Sequence, residues 1–159
     1  MAYLDSTAGL LRESGGVASV ERVFTEADGA AAGTYTADVA LPAGATLIDI
    51  IVNGVALWTA GTAATLIVGD GTDRDGYYTG VNLKATDLLA GESLSFALAG
   101  GKAGAYIANS QVTPRYADAA RTITGVVTTT GSAGDAGVTR MVVLYTLGGD
   151  ETAATFAAS

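Results

Sequence analysis

Apolar and polar residues alternate in short runs along most of the chain, which is the pattern of half-buried β-strands. Residues 93–98 alternate strictly, and this predicts that Leu94, Phe96 and Leu98 point into a core. Residues 46–52 are rich in β-branched side chains and are apolar on both faces except at one aspartate. Such a run is typical of a central strand that is covered on both sides.

Polar and glycine-rich turns separate the predicted strands. Asn53-Gly54 lies between two valines and predicts a tight hairpin, with a bend or bulge as the alternative. Near the end of the chain, residues 121–130 and 138–146 flank the glycine-rich loop 131–137. These two runs are therefore predicted to form a final hairpin.

About eight short strands, with no convincing helical pattern between residues 17 and 147, predict an all-β fold. We expect a single two-sheet antiparallel sandwich, jelly-roll-like in its connections, because a parallel βαβ arrangement needs helices. Residues 1–16 end in two glycines and are expected to form an N-terminal arm. Residues 17–147 are then the β-sandwich domain, and residues 148–159 a C-terminal tail.

The composition narrows the functional classes. The chain has 159 residues, 49% of them hydrophobic and 15% charged, which suits one compact domain with a core. It contains neither cysteine nor histidine, so Ser-His-Asp sites, Cys-His sites and ordinary zinc sites cannot be built from it. No local motif singles out a pair of catalytic carboxylates. The sequence therefore predicts a non-enzymatic protein with no catalytic residues and no cofactor.

The charge argues against two kinds of partner. A formal net charge of −8 at pH 7 disfavours binding to nucleic acid or to an anionic membrane. The longest apolar stretches are too short to span a bilayer, and the first residues lack the features of a signal peptide. We therefore expect the chain to be made in a cytoplasm.

One group of acidic residues is a candidate metal site. Asp70, Asp73 and Asp75 fall close together, and clustered carboxylates are the ligands that hard cations such as calcium prefer. The match to a calcium-binding loop is poor, because its register places Gly71 at the first ligand position and Asn82 where the bidentate glutamate belongs. A strand-connecting turn whose aspartates hydrogen-bond their own backbone is the favoured interpretation.

Three aromatic residues are candidate contact residues. Trp58, Tyr77 and Tyr78 would suit stacking on a sugar or contact with a partner protein, since aromatic faces carry much of the energy of interfaces. Core packing is the alternative for Trp58, because its neighbours are aliphatic. The two interpretations predict opposite exposures of the rings.

Three stretches of the chain resemble a known group of proteins. They are residues 41–52, residues 66–73 with their Gly-Asp-Gly turn, and residues 142–145, which follow a Thr- and Gly-rich segment. Together they are similar to small β-sandwich virion proteins of tailed bacteriophages, and head decoration (capsid cement) proteins are the nearest functional group. The resemblance covers residues 33–147.

The resemblance implies a structural protein of the virion, synthesised in the host cytoplasm. Such a protein binds the major capsid protein on the capsid exterior and stabilises the lattice, and it assembles symmetrically, by analogy as a trimer. The arm that carries Leu4, Leu10 and Leu11 is too short to form a hydrophobic core of its own. We therefore expect these leucines to be buried against a neighbouring subunit. The alternative function is a carbohydrate-binding head-fibre or tail-fibre module that uses exposed aromatics.

Overall fold

The computed structural model describes residues 16–26, 32–108 and 115–147. Within these ranges the chain is built almost entirely of strands and turns, with a 3₁₀ turn at Gly100–Lys102 and one short helix, α1, at Ala105–Ala108. The strands in chain order are β1 (Val17–Thr25), β2 (Thr34–Leu41), β3 (Ala45–Ala56), β4 (Ala63–Gly69), β5 (Tyr78–Asn82), β6 (Ser93–Leu94), β7 (Arg121–Thr130) and β8 (Val138–Leu147).

The strands form two antiparallel four-stranded sheets. Sheet I has the order β1-β8-β3-β6, and sheet II has the order β2-β7-β4-β5. Strand β1 pairs with β8, β2 with β7, β3 with β6 and β4 with β5. The chain therefore runs as one long hairpin that is wound around the core. This winding is the jelly-roll topology, and it confirms the predicted all-β two-sheet sandwich.

The predicted final hairpin is wrong. Strands β7 and β8 belong to different sheets, and residues 131–137 carry the chain from sheet II to sheet I. At the loop ends, Thr130 pairs with Ala63, and Val138 pairs with both Thr25 and Ala56. The alternating pattern identified both strands, but it carries no information about which distant strand each one pairs with.

The predicted hairpin at Asn53-Gly54 is also wrong, and the bulge alternative is correct. Strand β3 continues through this dipeptide to Ala56, with a shift of register between Gly54 and Ala56. A Cβ atom at Gly54 would lie 2.3 Å from the carbonyl oxygen of Leu89. The glycine is therefore needed for close approach of two backbone segments rather than for a reversal of the chain.

The alternating run at residues 93–98 forms a strand only at its start. Its pairing with β3 covers Ser93 and Leu94, and Leu94 is buried as predicted. Leu98 was expected to point inward, but it is 70% exposed because the chain has left the sheet by that point. Phe96 is partly buried and packs against the core.

Strand β3 is the predicted central strand, and it does lie inside sheet I between β8 and β6. It is not covered on both faces, because buried Ile50 and Val52 alternate with the half-exposed Ile51. The inward residues of the two sheets fill one core, where space is tight at Gly125. A Cβ atom there would lie 2.8 Å from Cζ of Phe24. No helix in the described part of the chain is long and apolar enough to cross a membrane.

Candidate functional site

The predicted arm contacts cannot be placed on the sandwich. Leu4, Leu10 and Leu11 lie outside the described residues. The described chain begins just before β1, and Val17 at the start of that strand pairs with Thr146 near the end of β8. The segments that precede β1 and follow β8 therefore both join the domain at the same end of sheet I.

The structure buries all three of the candidate contact aromatics. Trp58 is 2% exposed, and its indole Nε1 donates a hydrogen bond to Oγ1 of Thr139 at 2.9 Å. The ring of Tyr35 meets it edge to face at a centroid distance of 5.2 Å. Trp58 therefore has the environment of the core-packing alternative, and its ring is not available to a sugar or a partner.

Tyr77 and Tyr78 are fully buried side by side. The ring of Tyr77 stacks on Phe96 at 5.6 Å and meets Tyr106 edge to face at 5.0 Å. The hydroxyl of Tyr78 donates to the carbonyl of Ile50. Burial raises the pKa of both phenols, so both stay neutral. A surface contact therefore has to use residues other than these rings.

Asp70 organises the polar turn that follows β4. Its Oδ1 accepts hydrogen bonds from the backbone N–H groups of Thr72 at 2.9 Å and of Asp73 at 3.0 Å. It also accepts one from the hydroxyl of Tyr106 at 3.1 Å. Burial and the neighbouring Asp70 carboxylate raise the pKa of Tyr106 to about 12. The carboxylate thus ties the turn to α1.

Asp73 and Asp75 point to local partners in the same turn. Oδ2 of Asp75 accepts a hydrogen bond from the hydroxyl of Thr79 at 2.7 Å, and this bond is the largest cause lowering the pKa of Asp75. Oδ1 of Asp73 accepts from the backbone N–H of Asp75 at 3.4 Å. The Asp73 bond is backbone-directed, as the turn interpretation expects, whereas Asp75 accepts from a side-chain hydroxyl on β5. Across residues 16–26, 32–108 and 115–147, no group of three or more acidic side chains is arranged to hold a metal ion.

An open cleft of about 540 Å³ lies beside this turn. Asp70, Tyr106, Tyr116 and Arg121 line it, and the Tyr116 side chain is 60% exposed. The cleft contains hydroxyls, one carboxylate and one guanidinium. Oδ1 of Asp70 accepts three hydrogen bonds, so this carboxylate is held in place by the turn and by Tyr106.

A buried carboxylate at the other end of the sandwich was not predicted. Glu26 follows β1 and is fully buried. Its Oε2 accepts hydrogen bonds from the backbone N–H of Thr59 at 2.7 Å, from the Thr59 hydroxyl at 2.9 Å and from the N–H of Gly137 at 2.9 Å. It also accepts a longer one from Ala136 at 3.3 Å, and Oε1 accepts from the N–H of Ala60 at 2.7 Å.

These donors keep Glu26 ionised inside the protein. Burial raises the pKa of the carboxyl, but the hydrogen bonds from Thr59, Gly137 and Ala60 outweigh it, so the pKa lies below its ordinary value. The glycine-rich loop fits closely around the carboxylate, since a Cβ at Gly134 would lie 2.0 Å from Oε1 of Glu26. We call this arrangement the Glu26 cradle. It fastens the end of β1, residues 59–60 and the loop 131–137 together.

The Glu26 cradle is not predictable from local residue patterns. Its donors lie 33 to 111 positions away from Glu26 along the chain. The one signal was the glycine content of loop 131–137, which exceeds what a simple strand connection needs. The glycine pattern predicts a hairpin turn there, whereas the backbone N–H groups of Ala136 and Gly137 donate to a buried carboxylate.

Comparison with known proteins gives matches at the level of structure. No protein-family model matches the chain, and no curated protein matches it. A chain from the capsid of Ralstonia phage GP4 matches with a TM-score of 0.53 and 22% identity, over 86% of this chain and 88% of that one. A chain from the capsid asymmetric unit of cyanophage Pam1 matches with a TM-score of 0.51 and 20% identity, over 83% and 84%. The jelly roll described above is thus a fold found in phage capsids.

Proposed function

We propose that this protein is a non-enzymatic structural component of a phage virion. More specifically, we propose a head decoration (cement) protein that binds the major capsid protein on the outside of the capsid lattice and stabilises it. The observation that carries the proposal is the fold match to chains of two phage capsids, which extends over most of both chains in each comparison. At these identities the match concerns the fold, so the role itself is the step that we propose.

The physical character of the domain supports this role. The sheets enclose one core, and the Glu26 cradle fastens three segments at one end, so the domain suits a rigid clamp. A net charge of −8 keeps free copies soluble and disfavours contact with DNA. Both properties fit a protein that is added to the exterior of a particle in many copies, where weak contacts add up.

The arm is proposed as one of the two attachment elements. Both chain ends join the domain at the same end of sheet I, so the arm leaves from a defined corner of the sandwich. We propose that Leu4, Leu10 and Leu11 bury their apolar area against a neighbouring subunit of the capsid. The second attachment element is the end of the sandwich from which the arm leaves.

The carbohydrate-binding alternative loses the residues on which it was based. It required Trp58, Tyr77 or Tyr78 at the surface, and all three are buried in the core. It remains useful as the opposite outcome in an experiment, because it predicts a defect in adsorption to cells where the decoration role predicts a defect in particle stability.

The test uses particles that lack this protein and purified protein added back. We expect full-length protein to bind in hundreds of copies and to raise the temperature at which the particles release DNA. Deleting residues 2–14 is expected to lower occupancy while circular dichroism still shows the folded β domain, since β1 begins only at Val17. Undiminished occupancy of the truncated protein contradicts the arm role. Particles that lack the protein but are fully heat-resistant and fail only in adsorption contradict the decoration role.

A further inference from the structure

The dipeptide Asn53-Gly54 is chemically labile, because an asparagine that is followed by glycine is readily deamidated. Glycine lacks a Cβ atom, so its backbone nitrogen approaches the preceding side chain with little hindrance. The other two asparagines of the chain, Asn82 and Asn109, are followed by leucine and by serine. Asn53 is therefore the asparagine that is expected to react first.

Deamidation joins two neighbouring groups of this dipeptide. The backbone nitrogen of Gly54 loses its proton and forms a bond to Cγ of Asn53. The bond from Cγ to Nδ2 breaks, and Nδ2 takes up a proton and leaves as ammonia. Water then opens the five-membered ring at either of its carbonyls, which gives aspartate or isoaspartate. The reaction thus requires the Gly54 nitrogen to lie close to Cγ of Asn53 in the correct orientation.

Hydrogen bonds occupy all three of the polar groups that take part. The N–H of Gly54 donates to the carbonyl of Glu92 at 2.9 Å. Nδ2 of Asn53 donates to the hydroxyl of Ser93 at 2.6 Å, and Oδ1 accepts from Nε of Arg140 at 2.9 Å. The attacking nitrogen and the leaving group are therefore both bound to residues 92–93.

The strand geometry also keeps the reacting atoms apart. Asn53 is paired on both sides, with Arg140 on β8 and with Ser93 on β6. In a strand the side chain stands roughly perpendicular to the sheet, whereas backbone N–H groups point within the sheet toward a neighbouring strand. The Gly54 nitrogen therefore has to leave its bond to Glu92 before it can attack the Asn53 side chain.

The segment that holds both groups is short and lies at an edge. Strand β6 consists of Ser93 and Leu94 alone, and it is the last strand of sheet I. Residues 91–93 are exposed. Such a segment opens more often than the interior of a sheet, because few contacts have to break. Its opening frees the attacking nitrogen and the leaving group in one step.

We propose that Asn53 is a site of spontaneous deamidation, and that pairing of β3 with residues 92–94 blocks the reaction until this segment opens. The bond from Arg140 does not oppose the reaction, because negative charge develops on Oδ1 during the attack and a guanidinium stabilises it. The proposal does not depend on the capsid role, since it concerns the chemistry of the isolated chain.

The two products differ in whether the segment can close again. Aspartate keeps the backbone unchanged, and both of its carboxylate oxygens can accept the bonds that Arg140 and the Ser93 hydroxyl offer. Isoaspartate lengthens the backbone by one methylene and so disturbs the register beyond residue 53. Space is tight there, since a Cβ atom at Gly54 would lie 2.3 Å from the carbonyl oxygen of Leu89. Isoaspartate should therefore keep residues 91–94 open.

The first test follows residue 53 by peptide mass spectrometry while the full chain is incubated at mildly alkaline pH. The reference is the same chain unfolded in guanidinium chloride. One hydrogen bond favours the closed state by about fivefold, so two bonds should slow deamidation of Asn53 by roughly 25-fold in the folded chain. Equal rates in the folded and the unfolded chain overturn the proposal.

The second test uses matched variants at the exposed residue Ser93. Ser93→Ala removes the partner of Nδ2 and should speed deamidation of the folded chain by about fivefold. Ser93→Thr keeps a hydroxyl and should react at the wild-type rate. Equal rates in these two variants contradict the blocking role of the segment.

Hydrogen exchange of the Gly54 amide in the wild type gives a measure that needs no variant. Its protection should match the slowing of deamidation, because the same opening exposes both groups. A Gly54 amide that exchanges as fast as in the unfolded chain contradicts the proposal.

Discussion

Replacing Glu26 with glutamine tests whether the Glu26 cradle stabilises the fold. Glutamine has nearly the same shape, but only one of its two terminal atoms accepts hydrogen bonds. The better orientation keeps the carbonyl oxygen at the Oε2 position, where Thr59 and Gly137 donate. The amide NH₂ then faces the backbone N–H of Ala60, which donates to Oε1 in the wild type at 2.7 Å.

The magnitude follows from these contacts. A hydrogen bond to a charged acceptor contributes about 1.5–3 kcal/mol, and the donor left unsatisfied in the core costs a further 1–3 kcal/mol or so. Loss of charge also weakens the bonds that remain. We expect Glu26→Gln to lower the free energy of unfolding by about 3–5 kcal/mol, which is a large part of the roughly 5–15 kcal/mol typical of a domain.

The assay is urea unfolding followed by the fluorescence of Trp58, the chain's single tryptophan, which is buried next to the cradle residue Thr59. Glu92→Gln is the control, since Glu92 is exposed and its loss should change stability by less than about 0.5 kcal/mol. A Glu26→Gln variant as stable as the control would refute the reasoning.

The pH dependence gives an independent check. The pKa of Glu26 is lower in the folded chain than in the unfolded one, so its contribution is complete above the unfolded value of about 4.3 and is lost as the pH falls below it. Asp75 and Asp87 also have lowered pKa values, so they contribute to acid unfolding of both proteins. The difference between wild type and Glu26→Gln isolates Glu26. It should shrink from pH 5 downward, and a constant difference contradicts the assignment.

Three further outcomes are expected. Calcium should not raise the melting temperature of the wild type, and a rise that disappears in an Asp73→Ala, Asp75→Ala variant would show that the turn binds a cation. Gly125→Ala should destabilise the domain by about 1–3 kcal/mol through overpacking, while Gly71→Ala, where a Cβ meets nothing within 4 Å, should be neutral in the same unfolding assay. Tyr78→Phe should cost about 1–2 kcal/mol, because the carbonyl of Ile50 loses its buried donor. An unfolding midpoint equal to that of the wild type would show that the bond contributes nothing.

Much of the architecture follows from residue patterns that are local in the chain. The alternation of apolar and polar residues located most of the strands, and the absence of a helical pattern fixed the fold class, because side chains on a strand point to opposite faces in turn. The turn at Asp70 was also predictable, since its backbone hydrogen bonds join residues two or three positions apart. These features depend on near neighbours, which a sequence displays directly.

Tertiary structure decided the features that depend on residues far apart in the chain. Strands β7 and β8 are consecutive, yet each pairs with strands that come much earlier, so the predicted hairpin was wrong. The cradle unites Glu26 with donors up to 111 positions away. The alternating pattern of β3 and β8 did not reveal which side chains lie beside one another on the outer face of sheet I, because that requires the register of three strands. The periodicity of a strand indicates that it has two different faces. Only packing against the rest of the chain determines which face is buried and which strands lie beside it.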